Sequence, residues 1–170
     1  TWKDTVINSR LIGDYQFYNI SLAICIGNYF KISKKNIQFG IESYIPKNNR
    51  SEIIETEDNI IIMDAYNANP SSMKAMINSF SKQDYANKLC ILGDMLELGE
   101  HTLDGHSAIL DLVARLNLEV IIIGKEFSKV SNKAFKDRTE FEIFLKSHPI
   151  KNKTILLKGS RGISLEKLTK

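Results

Sequence analysis

The chain has 170 residues, of which 43% are hydrophobic and 25% are charged, and its formal net charge is +3. This composition is typical of one generous globular domain, or of a domain plus a fragment, that needs no disulfide or metal ion to fold. The scattered basic residues argue against a nucleic-acid-binding surface, and no apolar run approaches the roughly 20 residues of a membrane span, so neither partner is expected.

The first part of the chain is predicted to contain an extended segment and two helices. The extended segment covers about residues 4–12, and a helix follows over about residues 17–30. Three apolar residues share one face of that helix: Leu22, Ile26 and Phe30. Ser33 is placed to cap a shorter second helix.

A polar stretch with a proline, residues 44–50, marks the predicted domain boundary, which we place after residue 45. Strand and helix patterns alternate beyond it. The predicted strands cover residues 52–56, 59–63, 88–92, 119–123 and 154–157. The predicted helices cover residues 71–80 and 106–116 and a broken region over 127–147. This alternation indicates an α/β domain with a mostly parallel, twisted sheet flanked by helices.

The two cysteines, Cys25 and Cys90, each lie inside an apolar run. That placement predicts two free, buried thiols in a reducing compartment. No basic residue is arranged around either cysteine, which argues against a nucleophilic role.

Polar or glycine residues end several predicted strands. Asp64 follows the apolar run 60–63, Asp94 follows the third strand, and Lys125 follows the fourth. The last strand leads into Lys158. Because the carboxyl ends of parallel strands meet at one edge of a sheet, where ligands bind in open α/β folds, we expect these side chains to converge there.

The first of these strand ends carries the run 64–70, Asp-Ala-Tyr-Asn-Ala-Asn-Pro. Its carboxylate, phenol and two carboxamides suit a polar, hydroxyl-bearing ligand. Asp64 could bind a metal, or could accept two hydrogen bonds from a ribose diol. It could equally be a helix-capping or turn aspartate. Asn67 and Asn69 could contact a ligand, although Asn69 before Pro70 favours a turn or helix start.

The run 92–100 is a strand end followed by a loop between two glycines, which can bring backbone N–H groups close to a substrate or can be a simple connector. Its acidic residues lie near His101 and His106. These histidines are five positions apart and do not share a helical face, and no cysteine supports a zinc site. No metal site is therefore expected in this segment.

The run 158–162, Lys-Gly-Ser-Arg-Gly, holds two cations, two glycines and a hydroxyl, a composition that can cradle an anion. Ser160 could instead cap a final helix. The spacing is not that of a Walker loop, and the sequence contains no G-x-G-x-x-G. Arg50, in the linker, could clamp a phosphate or could simply be solvated.

Together, in this order and spacing, the three runs resemble the C-terminal part of the Mur ligase family, and the resemblance extends over about residues 11–168. It implies that residues 1–45 are a strand-helix remnant of a central ATP-binding domain. It also implies that residues 46–170 are a Rossmann-like C-terminal domain.

The closest resemblance is to members that add D-Ala-D-Ala to UDP-MurNAc-tripeptide in peptidoglycan precursor synthesis. It implies an ATP-driven amide bond: a peptide carboxylate takes the γ-phosphoryl group of ATP, the dipeptide amine attacks the acyl phosphate, and phosphate leaves. ATP and Mg²⁺ are the implied cofactors, with Mg²⁺ neutralising phosphate charge. A cytoplasmic location and a monomeric full-length enzyme are also implied.

By position, the resemblance assigns Asn19, with Gln16 beside it, to adenine, Arg50 to the ATP phosphates and Asp64 to the ribose. It assigns eight residues to the substrate cleft: Tyr66, Asn67, Asn69, Asp94, Glu97, Lys158, Ser160 and Arg161. No catalytic residue or metal ligand is assigned within this chain. The sequence departs from the family pattern where Tyr15-Gln16 replaces His-Asn and where Asn49 replaces a glycine.

The phosphate-binding loop, the magnesium ligands and the UDP-sugar domain of the family are not in these 170 residues, and the chain begins with Thr rather than Met. We therefore expect an excised piece of a longer protein that is inactive alone. Residues 4–12 would lack their neighbours of the central sheet, and we expect them to pack against the C-terminal domain, fray, or pair with another copy.

Two other classes of function compete with the ligase. A signalling receiver domain is also doubly wound and would be phosphorylated on Asp64, with Lys158 on a later strand. Its usual acidic pair at the first strand end is poorly matched by Glu55 or Glu57. The third possibility is a non-catalytic interaction module that binds a partner at the same edge of the sheet.

Overall fold

The structure is a computed structural model that describes residue 2 and residues 4–169. The chain forms two compact units, which divide between Lys47 and Asn48, two residues after the boundary placed from the sequence. Within the described residues, every helix is too short or too polar to cross a lipid bilayer.

Two helices make up most of the first unit, α1 (Gln16–Tyr29) and α2 (Lys34–Glu42). The hydroxyl of Ser33 accepts a hydrogen bond from the backbone N–H of Asn36, which is the predicted cap of α2. A Cβ atom added at Gly27 would lie 2.8 Å from the side chain of Ile37. Gly27 therefore lets α1 approach α2 closely.

The segment predicted to be extended, residues 4–12, contributes no strand to a sheet within the described part of the chain. Trp2 and Thr5 form an isolated antiparallel bridge. Farther along, the N–H of Asn8 donates to the carboxylate of Glu42 over 3.0 Å. Gln38 donates to the backbone carbonyl of Val6. The polar backbone groups of this segment thus find partners on α2 of their own unit, an arrangement that the sequence analysis did not anticipate.

The apolar face predicted for α1 is not buried. Its three residues are 50–69% exposed: Leu22, Ile26 and Phe30. Cys25 on the same helix is also exposed, so the prediction of a buried thiol is wrong for Cys25, whereas Cys90 is buried as predicted. Helix α1 is rich in apolar residues all round, and periodicity alone therefore does not reveal which side is covered.

The second unit is built on one five-stranded sheet. Its strands are β1 (Glu52–Glu55), β2 (Asn59–Asp64), β3 (Lys88–Gly93), β4 (Glu119–Ile123) and β5 (Lys153–Lys158). Their spatial order is β1-β2-β5-β3-β4. Only β1 is antiparallel to its neighbour; the other pairs are parallel. This confirms the α/β class and the mostly parallel sheet.

Within residues 48–169, four helices flank the sheet: α3 (Pro70–Lys82), α4 (Thr102–Arg115), α5 (Lys125–Val130) and α6 (Arg138–Ser147). Short 3₁₀ helices cover Gly99–His101, Arg161–Ile163 and Leu165–Thr169. The broken helical region predicted over residues 127–147 is resolved into α5 and α6. The sequence-based ranges differ from the observed helix bounds by a few residues, the usual uncertainty of helix ends.

Both faces of the sheet are buried, because successive side chains of each strand point to opposite sides. One face joins Ile61 and Met63 of β2 to Phe141 of α6 and to Leu165. On the other face, Ile62 is fully buried. Helices α3 and α4, which contact each other, each bury a row of apolar side chains. This two-sided burial explains the nearly continuous apolar runs of the parallel strands.

The strand order positions the candidate site. Strand β5, the last in the chain, lies between β2 and β3. Its carboxyl end is therefore next to the carboxyl ends of both neighbours, and Asp64 is directly paired with Lys158. The run 158–162 thus lies between the runs 64–70 and 92–100.

Candidate functional site

Ser160 connects the three polar runs at the carboxyl edge of the sheet. Its backbone N–H donates to the carbonyl of Asp94 over 2.9 Å. Its hydroxyl accepts a 2.9 Å hydrogen bond from the N–H of Leu96 and lies 3.4 Å from the carbonyl of Ala68, to which it donates. Ser160 is only 4% exposed. We conclude that it holds the loops together.

Asp64 and Lys158 form an ion pair beside this junction. Lys158 Nζ lies 2.6 Å from Asp64 Oδ2 and 3.4 Å from the carbonyl oxygen of Asn67. The other carboxylate oxygen of Asp64 accepts from the N–H of Ser51 over 3.2 Å. The Lys158 side chain is almost fully buried, whereas that of Asp64 retains 16% exposure. The predicted convergence of these two residues is therefore confirmed.

Two exposed arginines surround the ring of Tyr66. The guanidinium carbon of Arg50 lies 3.9 Å from the ring centroid, and that of Arg161 lies 5.4 Å from it. Both distances are within the range of cation–π attraction. A hydrogen bond from Arg50 to the phenol, the positive charge of Arg50 and then that of Arg161 lower the pKa of Tyr66. This cluster offers two planar, permanently charged donors to an anionic ligand.

Asp94 is buried and organises the neighbouring loop. Its two carboxylate oxygens accept 2.9 Å hydrogen bonds from the N–H groups of Glu126 and Phe127 at the start of α5. Gly124, with φ of +137°, passes so close that an added Cβ would lie 2.1 Å from the Asp94 carboxylate. Asp94 is only 2% exposed, and both of its carboxylate oxygens accept these hydrogen bonds. Its side chain therefore links the loop after β3 to the start of α5.

His106 is a buried residue whose role at this site the sequence analysis missed. Its Nε2 accepts from the N–H of Met95 over 3.1 Å, and its Nδ1 lies 2.6 Å from the carbonyl of Thr102. The hydrogen-bond partners therefore assign the proton of the neutral ring to Nδ1. Nε2 also lies 3.6 Å from Asp94 Oδ1. Nothing local in the sequence points to this role, since His106 meets the loop only through the fold.

Consecutive backbone N–H groups of the loop are thus fixed by buried side chains from different elements. Met95 is held by His106 of α4, and Leu96 is held by Ser160 beyond β5. The next residue, Glu97, is exposed and adopts φ of +66°. The carboxylate of Glu97 is therefore exposed next to two backbone groups that are held by hydrogen bonds.

The two asparagines of the first run differ in their surroundings. Asn69 Oδ1 caps α3 by accepting from the N–H of Ser72 and the hydroxyl of Ser71, each over 2.8 Å. The helix-start interpretation of Asn69 is therefore what the structure shows for its side chain. Asn67 is exposed, and its Oδ1 accepts from the N–H of Ala68.

Gln16 and Asn19 lie on α1 in the first unit. Asn19 Nδ2 donates to Gln16 Oε1 over 2.7 Å. Asn19 also lines a cavity of about 350 Å³ within this unit. Most of the lining is apolar and includes Ile20, Ala23, Ile32 and Ile37. Asn36 contributes a second amide to the lining. Amides at a mostly apolar cavity are a suitable combination for a planar heterocycle.

Among the described residues, no group of three or more His, Cys, Asp or Glu side chains is arranged to hold a metal ion. His106 is committed to Thr102 and Met95. No residue of this part of the protein is therefore assigned to Mg²⁺.

Residues 49–161 match the family model described as Mur ligase, glutamate ligase domain. The chain is 31% identical to the UDP-N-acetylmuramoyl-tripeptide–D-alanyl-D-alanine ligase of Bacillus subtilis (strain 168), over 94% of this chain and 38% of that protein. It is similar to the crystal structure of MurF from Acinetobacter baumannii, with a TM-score of 0.81 and 27% identity, over 97% of this chain and 39% of the other.

MurF from Thermotoga maritima, solved in complex with ADP, shares the fold with a TM-score of 0.77 and 22% identity, over 94% of this chain and 38% of the other. The chain therefore spans about 38% of the length of the Bacillus subtilis and Thermotoga maritima relatives.

Proposed function

The chain belongs to the Mur ligase family, and from this premise we propose that it is the C-terminal part of an ATP-dependent ligase that joins D-Ala-D-Ala to UDP-MurNAc-tripeptide. Relatives from Bacillus subtilis and Haemophilus influenzae, among others, carry the name of this reaction. The two free cysteines suit the cytoplasmic location included in the proposal. A monomeric full-length enzyme is part of the same proposal. The receiver-domain hypothesis is set aside because of the family assignment.

The strand order β2-β5-β3 is the observation that supports this function best, because it brings the three polar runs to one edge of the sheet. Arg50 and Arg161 are both exposed; Arg50 lies just before β1, and Arg161 follows β5. Their guanidinium groups suit the phosphates of ATP and the acyl phosphate, since a planar fork can donate two hydrogen bonds to one anion. The ligands of this edge are proposed to be phosphates and peptide carboxylates.

For ATP, we assign Asn19 and Gln16 of the first unit to adenine. In the second unit, we assign Arg50 to the phosphates and Asp64 to the ribose. The partial exposure of the Asp64 side chain supports this assignment, because the residue is not fully buried while it is paired with Lys158. In the peptide cleft we assign contact roles to Tyr66, Asn67, Glu97 and Arg161, which are exposed.

The remaining cleft residues support the site indirectly. Lys158, Ser160 and Asp94 are buried, and Asn69 is committed to capping α3. They position the backbone of the three runs through buried hydrogen bonds and the ion pair with Asp64. Mg²⁺ would neutralise phosphate charge in the full reaction, but we assign no ligand of this chain to it.

The test uses the natural gene product that carries these residues. Phosphate release is measured with ATP, UDP-MurNAc-tripeptide and D-Ala-D-Ala, and with each one omitted. Turnover is expected only when all three are present. Phosphate release that does not depend on D-Ala-D-Ala would refute the proposal. The 170-residue polypeptide alone is expected to show no turnover, because it contains no G-x-x-x-x-G-K-[ST] loop.

A further inference from the structure

Tyr66 is the residue that both exposed arginines of the site approach. The guanidinium groups of Arg50 and Arg161 lie within cation–π range of its ring, and all three side chains are exposed. We propose that Tyr66 is a positioning residue, whose ring holds the guanidinium of Arg50 in place to bind the phosphates of ATP. The inference rests on the proposed function, and this role is separate from the contact role assigned to Tyr66 in the peptide cleft.

The backbone on both sides of Arg50 is fixed by two hydrogen bonds. The N–H of Tyr66 donates to the carbonyl of Asn49 over 3.2 Å, and the N–H of Ser51 donates to the Asp64 carboxylate over 3.2 Å. Asn49 and Ser51 also adopt left-handed backbone angles, with φ of +59° and +54°. Residues with a Cβ adopt such angles at a cost in free energy, so surrounding contacts must fix them. The point from which the Arg50 side chain extends is therefore set by its neighbours.

The ring of Tyr66 orients the Arg50 side chain without neutralising its charge. The guanidinium carbon lies over the ring, 3.9 Å from its centroid. Among the described residues, no carboxylate forms an ion pair with Arg50, so its positive charge stays available for an anion. A guanidinium that stacks on an aromatic face keeps the N–H donors of its edge free for a phosphate. Restricting the long side chain before the ligand arrives also reduces the entropy that binding costs.

Arg161 depends less on the ring than Arg50 does. Its guanidinium carbon is farther from the ring centroid, at 5.4 Å. The preceding residue, Ser160, is itself anchored, because its N–H donates to the carbonyl of Asp94 and its hydroxyl accepts from the N–H of Leu96. The two arginines therefore provide an internal comparison for the role of the ring.

The test measures the KM for ATP of the natural gene product that carries these residues, at saturating UDP-MurNAc-tripeptide and D-Ala-D-Ala. Tyr66→Leu removes the ring and should raise this KM about three- to fivefold. Tyr66→Phe keeps the ring and loses only an exposed hydrogen bond from Arg50, so it should raise the KM less than about twofold. Tyr85→Leu is the matched control and should leave the KM unchanged, because Tyr85 contacts the ring of Phe80 and precedes the amino end of β3.

The Arg50→Gln background separates positioning from a general structural defect. In that background, Tyr66→Leu should not raise the KM for ATP any further, because the guanidinium that the ring holds has been removed. In the Arg161→Gln background, the effect of Tyr66→Leu should persist at about three- to fivefold. A destabilised fold would instead affect all backgrounds alike.

The outcomes distinguish the positioning role from the proposed function. An equal effect of Tyr66→Leu with and without Arg50 would overturn the positioning role alone. A rise in the KM for D-Ala-D-Ala without any change in the KM for ATP would do the same, and would leave Tyr66 only its contact role in the peptide cleft. Absence of dipeptide-dependent turnover in wild type would overturn the proposed function and this inference together.

Discussion

Asp64 and Lys158 form an ion pair across two neighbouring parallel strands, with Oδ2 and Nζ 2.6 Å apart. The two residues are 94 positions apart in the chain and become direct neighbours because β5 inserts beside β2. Their burial is unequal: 2% of the Lys158 side chain is exposed, against 16% for Asp64. The buried ammonium of Lys158 therefore depends more on Asp64 for charge compensation than Asp64 depends on Lys158.

This asymmetry predicts different costs for removing each partner. Asp64→Asn leaves a buried ammonium without its counter-charge and should lower the free energy of unfolding by about 3–5 kcal/mol. Lys158→Met should cost less, because Asp64 keeps the N–H of Ser51 and some contact with water. Urea unfolding measures both. Lys151→Met, which breaks the exposed pair with Asp58, is the control and should cost under about 1 kcal/mol.

Gly124→Ala should be severely destabilising. The new methyl group would lie 2.1 Å from the Asp94 carboxylate, and φ of +137° is strained for any residue with a Cβ. We expect a loss of about 2–4 kcal/mol in thermal unfolding experiments. The comparison is Gly40→Ala within α2, where nothing lies within 4 Å of the added atom. That substitution should stabilise by about 0.5–1 kcal/mol, and similar effects at both glycines would contradict the close approach.

Ser160→Ala should destabilise the protein by about 1–3 kcal/mol, because the N–H of Leu96 and the carbonyl of Ala68 lose a buried partner. Hydrogen exchange should quicken at the amide of Leu96 more than at amides of α4. Ser107→Ala, at an exposed position of α4, is the matched control and should change stability little. An unchanged exchange rate at Leu96 would rule out the connecting role of Ser160.

Tyr66 should ionise at a lower pH than an ordinary tyrosine. Its folded-state pKa lies below the usual 10.0, so the phenolate contributes stability above the ordinary pKa, and this contribution is lost as the pH falls through the folded-state pKa. Ultraviolet titration of wild type minus Tyr66→Phe isolates this group. Arg50→Gln should move the pKa back toward 10.0, whereas Arg115→Gln on α4 should leave it in place.

The two cysteines should differ in reactivity. Cys25 is exposed, whereas burial raises the pKa of Cys90 to about 12. Mass spectrometry after iodoacetamide treatment should therefore show one modified thiol in the native protein and two in urea. Cys25→Ser should abolish the native modification. Rapid native labelling of that variant would mean that Cys90 is accessible.

The type and order of the elements in the second unit could be predicted from sequence, because a strand buried on both faces and an amphipathic helix each leave a local pattern. The apolar run of β2 and the capping pattern of α3 are examples. The position of the site at the carboxyl ends of the strands followed from the same patterns and from the general geometry of parallel sheets.

The roles of single residues depended on contacts between distant segments. Asp94 and Ser160 are polar residues in loops, and their sequence context suggested ligand contacts, yet both are buried by partners more than 30 residues away. Cys25 illustrates the reverse case, since an apolar neighbourhood in the chain did not lead to burial.

The amino-acid sequence by itself determined the α/β class, the helices and strands and the family, because these depend on periodicity and on short runs of residues that can be read locally. Only the tertiary structure decided that β5 lies between β2 and β3, that Lys158 neutralises Asp64, and that His106 supports the loop. The physical reason is that strand order and buried hydrogen bonds result from packing both faces of the sheet at once, a property of the whole unit that no local stretch of sequence encodes.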